Sequence, residues 1–436
     1  MRWIFLFYAG FAFAQNTLPL SLKRAVQIAL TPEGSPRVAL AEESIRQSET
    51  GIAQARAAFL PDIEASVTDQ SETVNLKTFG LNFPLPAGVS FPSVVGPFPV
   101  FDARGTVNQS VFDFSSIRKY QSSKVTVEAS KADADTTRNQ VSDAVARAYL
   151  ACLRADATVE TQRANVDLSD ALLKLSNRQK TAGTGLAIEV TRAQVQLAND
   201  RQNLIVAEND RRKAVLQLLR AMGINLDAHI EFTDKLAYKP IDVGPMEAAI
   251  EKARKERAEL KAQAKREEIA KLNYGSVKAE RLPSVSAFGN YGTIGPEVVG
   301  ALPTHAVGVT LKVPVFDGGR RDARRAESLS QLRQEEIRTR DVKQQVELDV
   351  RLALDSIKSA ASQVDTAREG LTLAENELAQ ARRRYEGGVA NSIEVTDAQT
   401  RLDRARDNQI AALYNYNLAR LDLATATGSI AEYINQ

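Results

Sequence analysis

Two very long stretches of the chain repeat apolar residues in a heptad pattern, and in the second the spacings alternate between four and three. In the stretch about 319–386 no proline interrupts the pattern, and small and large residues alternate along one row: Val346, Val350, Ala353, Ile357, Ala360, Val364, Ala367, Leu371, Ala374, Leu378, Ala381 and Tyr385. The stretch about 115–182 carries a similar row: Val145, Cys152, Val159, Val166 and Leu173. Such rows are typical of coiled coils, in which small residues let helices approach closely and large ones fill the gaps. Each stretch therefore predicts one helix roughly 100 Å long, with Cys152 in its core.

Shorter helical patterns flank each long one. They precede the strands described below, at about 33–58 and 256–281, and they follow glycine-containing turns, at about 187–222 and 392–427. The two shorter helices beside each long one sum to roughly 90 Å. Stacked end to end, they can lie alongside the long helix.

Four segments alternate apolar and polar residues, at about 60–75, 100–113, 283–293 and 304–316. Each predicts a strand with one apolar and one polar face. Such strands match an outer-membrane barrel, whose apolar face meets lipid and whose polar face lines a water-filled lumen, although a soluble sandwich with one solvated face fits the same alternation. Since the smallest known membrane barrels have eight strands, several copies of the chain would have to contribute. The segment about 76–98 predicts an irregular external loop.

The two halves of the chain repeat each other. Short motifs recur in the same order, 204 or 205 residues apart. Phe112-Asp113 recurs as Phe316-Asp317, and Gly183 with residues 188–191, 193 and 194 recurs as Gly388 with residues 393–396, 398 and 399. Repetition at a fixed distance indicates a duplicated structural unit. We expect four parts after the N-terminal segment: a first repeat over 15–222, a linking segment over 223–255, a second repeat over 256–428 and a short tail over 429–436.

The N-terminus and the composition restrict the possible functions. Residues 1–14 predict a secretory signal peptide ending in an A-x-A cleavage site, with a buried N-terminal helix as the alternative. A net charge of +2 gives no indication of a nucleic-acid partner. One cysteine and two histidines leave no disulfide framework and little material for a metal site or a catalytic triad. We therefore expect no enzyme, no catalytic residue, no cofactor and no metal.

In their order and spacing these motifs resemble the TolC family of outer-membrane efflux and secretion ducts. The likeness covers nearly the whole mature chain, including the helices that start after Phe112-Asp113 and after residues 316–319, and the turn at 385–389. It implies a mainly helical fold with a β-barrel portion. Three copies would share one twelve-stranded barrel, four strands from each, continued into the periplasm by a long coiled-coil tunnel. Residues 223–255 and the C-terminal tail would form an equatorial collar.

The resemblance also implies a function and partners. The protein would be a passive homotrimeric exit duct in the outer membrane, embedded in its lipid and extending into the periplasm, without nucleic acid. It would serve a tripartite efflux or type I secretion system, with a periplasmic adaptor (membrane fusion) protein and an inner-membrane transporter. The adaptor would meet the helical tips at residues 181–186 and 387–392, whose turns contain Gly183, Gly185, Gly387 and Gly388.

In the family the periplasmic end of the tunnel is constricted, and acidic residues line the entrance. The resemblance places this gate at four positions: Glu189, Tyr385, Glu394 and Asp397. Ala390 departs from the pattern, because well-studied members have an arginine there that locks the gate. Neighbouring arginines are candidates to replace it: Arg382, Arg383 and Arg384.

The residues themselves support an acidic ring independently of the family. Glu394 and Asp397 are three residues apart and so share one helix face, and a trimer would place six carboxylates around a narrow mouth that attracts cations. Alternatively, they are ordinary acids in the first turn of a helix, where the helix dipole favours negative charge.

Two other classes of function remain. A periplasmic coiled-coil adaptor or structural protein would explain the seams and the signal peptide, but not the four alternating strands. A secreted hydrolase could use a pair of acidic residues, but chance pairing is expected where acids are this dense on solvated helix faces.

Overall fold

The computed structural model describes residues 18–31, 34–80 and 92–435, so the predicted signal peptide at 1–14 lies outside the described residues. The described chain is mainly helical, which confirms the predicted class. Its helices are, in chain order, α1 (Leu22–Ala29), α2 (Pro36–Ala57), α3 (Phe114–Thr181), α4 (Ala187–Met222), α5 (Met246–Glu256), α6 (Ala258–Ala279), α7 (Arg320–Glu386), α8 (Ser392–Thr427) and α9 (Ile430–Ile434). Its strands are β1 (Leu18–Leu20), β2 (Asp62–Asn75), β3 (Val94–Phe112), β4 (Ile230–Phe232), β5 (Ser284–Gly295) and β6 (Leu302–Lys312).

The two longest helices, α3 and α7, occupy the stretches in which the sequence predicts them. The helix expected over about 256–281 is α6, which begins directly after Arg257, whose backbone is extended with ψ of 122°. A further helix, α5, lies in the linking segment, where the sequence predicts none. The Arg257 guanidinium is nearly buried there and pairs with Glu259 and with Asp349 at 2.8 Å. None of the described helices has both the length and the apolar content needed to cross a membrane.

The chain forms two compact units. Of the described residues, the first contains those up to 44, those within 131–262 and those from 340 onward, and the second contains those within 45–130 and 263–339. Each unit draws on both halves of the sequence, so the compact units differ from the predicted repeats, which remain a prediction.

In the first unit, one apolar core contains residues near both ends of the described chain and residues of the linking segment 223–255. β1 pairs in parallel with β4, through Leu18 opposite Ile230 and Leu20 opposite Phe232. Around this pair a cluster of buried side chains takes in α1, the part of α3 around Tyr149, the end of α4 and α9. Cys152 belongs to this core and is fully buried, as predicted, and burial raises the pKa of its thiol to about 12.

The apolar seam of α7 lies inside the first unit. Ten of its twelve predicted members are buried, and only Ala367 and Leu371 are partly exposed. They lie in three successive clusters of buried side chains: the first packs mainly against α5, the second against α8, and the third, at the tip, against α8 and α3. The predicted seam of α3 is wrong beyond Val159, because Val166 and Leu173 are only partly buried there. The buried row moves to neighbouring positions: Asn165, Ser169, Leu172 and Ser176.

The second unit contains an antiparallel sheet in the order β2-β3-β5-β6. Two strand ends differ from the prediction. β3 starts at Val94 rather than near 100, and a register shift opposite Glu72 and Val74 accommodates Pro97. β6 ends at Lys312 rather than near 316, since Pro314 has no backbone N–H to donate.

Candidate functional site

The helical tips are two tight turns, one between α3 and α4 and one between α7 and α8. Gly183 and Gly388 occupy equivalent places, with φ of 75° and 74°, a left-handed conformation that disfavours any side chain. Gly185 approaches the end of α3 so closely that a Cβ would lie 2.9 Å from the Cβ of Gln179. Gly387 has an ordinary φ and room for a Cβ, so it is the least constrained of the four predicted tip glycines.

Side chains close the first turn of each helix that leaves a tip. Asn391 accepts a hydrogen bond from the Glu394 backbone N–H at 3.3 Å. Glu189 accepts one from the Leu186 N–H at 3.4 Å and faces the Ser392 N–H at 3.5 Å. Since a helix start carries partial positive charge, Glu189 is attracted to α8 as well as to its own helix. The two tips therefore lie side by side and are linked by this carboxylate.

Tyr385 is buried, with 3% of its surface exposed, at the end of α7. Its hydroxyl lies 3.3 Å from the Ser176 hydroxyl on α3, and its ring packs among Leu172, Leu378 and Val395. Burial raises the pKa of Tyr385, although the hydrogen bond to Ser176 opposes this effect. The tyrosine is thus a neutral side chain that joins α7 to α3 just behind the tips.

The two acids predicted to line the entrance have different surroundings. The Glu394 carboxylate pairs with the Arg384 guanidinium at 3.2 Å; the Arg384 side chain is exposed and the Glu394 side chain is partly buried. Asp397, one turn further along α8, is exposed and has no ion pair among the described residues. Of the three candidate arginines, Arg384 is the one that pairs with a predicted entrance acid.

A second polar cluster lies deeper between the helices, and sequence reasoning missed it. Ser169 on α3, Asp200 on α4 and Gln399 on α8 are each at most 2% exposed. Gln399 Nε2 donates to Ser169 Oγ at 2.7 Å, and the Ser169 hydroxyl donates to the Asp200 carboxylate. Asp403, one turn along α8 from Gln399, has a buried Oδ1 without a hydrogen-bond partner in the described structure. We call these four residues the buried polar layer.

Two carboxylates in one buried layer repel each other, and burial disfavours their charged forms. Burial, followed by the charge of Asp200, raises the pKa of Asp403 to about 6. Burial also raises the pKa of Asp200, although hydrogen bonds from Ser169 and Gln196 oppose this change. The surroundings of Asp403 therefore favour its neutral form up to about pH 6.

The sequence did contain a signal for this layer. Asp200 falls between Leu197 and Leu204 at the spacing of the α4 seam, and Ser169 lies four residues from Asn165 in the α3 row. Polar residues at seam positions of a coiled coil commonly fix register at a cost in stability.

The sheet of the second unit separates its side chains by polarity. In one cross-strand row Ile63 faces Val107, which in turn faces Gly289 and then Val307. The next residues along belong to the opposite face, where Glu64, Thr106 and Asn290 align with Ala306. Most of the large side chains of the apolar face are exposed to solvent in the single chain, including Ile63, Val67, Tyr291, Val307, Val309 and Leu311.

Within the described residues, no group of three or more histidine, cysteine, aspartate or glutamate side chains is arranged to hold a metal ion. The cavities found there lie among the helices and are open to solvent.

Comparison with known proteins gives a consistent result. The family described as "Outer membrane efflux protein" matches residues 28–224 and 249–429. The chain is similar to the outer membrane protein TolC of Vibrio cholerae, with 25% identity over 66% of this chain and 67% of that protein. It is also similar to the pyoverdine export outer membrane protein OpmQ of Pseudomonas aeruginosa, with 24% identity over 86% and 78% of the two chains.

Among solved structures, the fold resembles the CmeC outer membrane channel of Campylobacter jejuni. The TM-score is 0.79 at 15% sequence identity, covering 95% of this chain and 88% of that one. The named relatives are outer-membrane export and channel proteins rather than enzymes.

Proposed function

Since the chain belongs to the outer membrane efflux protein family and is an outer-membrane protein, we propose that it is the passive exit duct of a tripartite efflux or secretion system. Three copies close one twelve-stranded barrel in the membrane. Their helices continue the duct into the periplasm, where the tips gate it. The cargo is selected by the inner-membrane transporter that delivers it.

The observation that carries this proposal is the four-stranded sheet, which is amphipathic and open at both edges. In the described chain β2 pairs only with β3, and β6 pairs only with β5. Inside a bilayer, unpaired backbone groups at such edges would each cost several kcal/mol. Pairing β6 of one copy with β2 of the next removes every edge, and three copies supply more than the eight strands of the smallest membrane barrels. The apolar face then meets lipid and the polar face lines the lumen.

The tips supply a gate with two restraints. Tyr385 joins α7 to α3 through Ser176, and Arg384 holds Glu394 within the α7–α8 hairpin. In a trimer, Glu394 and Asp397 recur three times around the mouth and give it a preference for cations. Glu189 holds the two tips of one copy side by side.

The partners follow from the same proposal. A passive duct needs an energised transporter in the inner membrane and a periplasmic adaptor that seats on its tips. The exposed turns around Gly183 and Gly388 are the surface we assign to the adaptor. A periplasmic coiled-coil protein without a barrel is the competing function, and it leaves the apolar sheet face without a role.

Purification and electrical recording test the proposal together. We expect the chain to be extracted from the outer-membrane fraction in mild detergent with three times the mass of the mature chain. In planar bilayers it should open small cation-preferring channels. The E394Q/D397N double variant should lose most of the cation preference, measured as the reversal potential in a KCl gradient.

A matched control removes a carboxylate elsewhere. Glu375 is exposed on α7 and forms no ion pair among the described residues, so E375Q should leave selectivity unchanged. A soluble periplasmic species without conductance would contradict the duct. Equal selectivity in the double variant and the wild type would contradict the acidic ring and leave the duct standing.

A further inference from the structure

One end of the four-stranded sheet is strongly basic. The register places the start of β2, the end of β3, the start of β5 and the end of β6 at the same end, since Asp62 lies opposite Asn108 and Ser284 lies opposite Lys312. The chain enters or leaves the helices there through four segments: 56–61, 113–121, 278–283 and 313–325. Together they carry nine basic and four acidic residues. We call these basic residues the junction patch: Arg56, Arg118, Lys119, Lys278, Arg281, Arg320, Arg321, Arg324 and Arg325.

The opposite end of the sheet lacks this charge. The connections there, 76–93 and 296–301, contain one basic residue, Lys77, and one acidic residue, Glu297. The asymmetry is therefore a property of the helical end and does not reflect a general excess of lysine and arginine in the chain.

Four of the basic residues stand where helix electrostatics disfavours them. Arg320, Arg321, Arg324 and Arg325 fall in the first two turns of α7, and the start of a helix carries partial positive charge. Acidic neighbours compensate some members of the junction patch. Arg321 pairs with Asp317 at 3.4 Å, Arg324 pairs with Glu280 at 2.8 Å, and Arg281 pairs with Asp322.

Other members of the patch are not compensated. Arg56, Lys119 and Arg320 are exposed and form no ion pair with any described residue. The fold thus concentrates like charges at this end and leaves part of them available, which favours an anionic partner outside the chain.

Apolar side chains lie between the basic residues and the strands. Val315 is 92% exposed and Phe316 is 87% exposed, directly before the arginines of α7. Leu60 and Leu282 are also exposed, and they lie just before β2 and β5. Exposed apolar side chains followed by lysine and arginine are typical of the boundary between hydrocarbon and lipid headgroups, where long basic side chains reach the phosphates.

We propose that the junction patch binds the phosphate groups of phospholipids in the periplasmic leaflet of the outer membrane. The proposal rests on the duct proposed above, because the helices that leave this end of the sheet continue into the periplasm there. Guanidinium groups suit the task, since their fork of N–H donors matches phosphate oxygens. The uncompensated Arg56, Lys119 and Arg320 make the main contacts, and the exposed apolar residues lie against the acyl chains.

Lipid retention by purified trimers tests this proposal. We compare the wild type with the triple variant R56Q/K119Q/R320Q, which removes only uncompensated charges. After loading with phosphatidylglycerol and washing in detergent, bound phospholipid is counted per trimer by phosphorus analysis. We expect the variant to lose at least half of the phospholipid that the wild type retains, and high salt to reduce retention by the wild type.

The control variant R178Q/K180Q/R383Q removes three exposed basic residues near the tips and should retain as much lipid as the wild type. Equal retention by the two triple variants would overturn the proposal. Complete release by inorganic phosphate would also overturn it, since a simple anion site needs no acyl chain. Loss of the trimer in the triple variant but not in the control would assign the patch to contacts between copies instead.

Two further results keep this inference separate from the proposed duct. If the triple variant does not fold, the single variant R320Q should still lose a measurable fraction of the lipid, and unchanged retention would contradict the proposal. If the wild type forms no trimer and no channel, the duct itself fails. A conducting wild-type trimer whose lipid retention is insensitive to these substitutions contradicts the lipid site alone.

Discussion

The buried carboxylate of Asp403 should make the helical region less stable as the pH rises through the slightly acidic range. Its pKa is raised from 3.8 to about 6 in the folded chain. A raised pKa means that the folded state holds the proton more tightly than the unfolded state. The contribution of Asp403 to the free energy of unfolding is therefore fully present below about pH 4, and it is lost as the pH rises through about 6.

The size of this loss of stability follows from the difference between the pKa of Asp403 in the folded and the unfolded chain. At about 1.36 kcal/mol per pKa unit, the shift corresponds to about 3 kcal/mol. Part of the carboxylate is accessible to water, so we reduce the expected value to about 1–2 kcal/mol. The D403N variant has no such charge and should recover this amount at neutral pH.

Thermal unfolding followed by circular dichroism measures the effect. Wild type and D403N are compared in the same detergent at equal protein concentration, because the midpoint of an oligomer depends on concentration. We expect their Tm values to coincide near about pH 4 and to differ by about 2–4 °C near about pH 7.5, with D403N the more stable.

A second substitution separates this effect from general changes of charge. Asp167 is exposed on α3 and forms no ion pair among the described residues, so D167N should follow the wild type at every pH. The reasoning is refuted if the difference between D403N and the wild type is the same at both ends of the pH range, or if D403N is the less stable protein near neutral pH.

Three further predictions concern single contacts. Gly388→Ala should lower stability by about 1–2 kcal/mol because φ there is 74°, while Gly387→Ala should be nearly neutral; equal Tm values for the two variants would contradict the role assigned to the turn. Cys152 should resist maleimide labelling until the protein is unfolded, since its thiol is buried, and rapid labelling of the folded trimer would exclude a core position. Tyr385→Phe removes the 3.3 Å contact with the Ser176 hydroxyl, which is worth about 1 kcal/mol. It should therefore raise the open probability of single channels, and an unchanged open probability would mean that Tyr385 contributes only by packing.

The long helices could be predicted closely because their signals are redundant. The α7 seam repeats over many turns, and a glycine with positive φ ends the pattern at the tip. Once a helix has formed, each further residue adds one hydrogen bond, so an uninterrupted helical pattern forms one continuous helix. The predicted bounds of α3 and α7 consequently differ from Phe114–Thr181 and Arg320–Glu386 by one residue at each end or less.

Features that depend on distant partners could not be predicted. Helix α5 lies in the linking segment, where no helix is predicted, and its Ile250 and Ala253 pack against α7, which is distant in sequence. The pairing of β1 with β4 joins two three-residue segments, too short for any alternation to be recognised. β3 extends back to Val94 because β2 continues beside it, although two prolines there predict a loop.

The candidate site also contains features that could be predicted from the sequence and features that could not. The tip glycines and the acids at the starts of α4 and α8 are local features, so their positions could be assigned from sequence. The burial of Tyr385 against Ser176 and the pairing of Arg384 with Glu394 depend on how neighbouring helices pack. The gate roles of these residues stay a prediction until conductance is measured.

The two sides of α8 differ in a way that bears on how a tip could open. Toward α7 the packing is apolar along the whole seam, from Val346 to Tyr385, and separating it would expose large apolar surfaces to water. Toward α3 and α4 the packing near the tip is mixed. Leu172 of α3 belongs to the apolar cluster, whereas Ser169, Asp200 and Asp403 carry polar groups that water can solvate at little cost once they are exposed. The α7–α8 hairpin should therefore move as one body, with the buried polar layer as the surface that parts. Because ionisation of Asp403 opposes its burial there, the same carboxylate that limits stability at neutral pH favours opening.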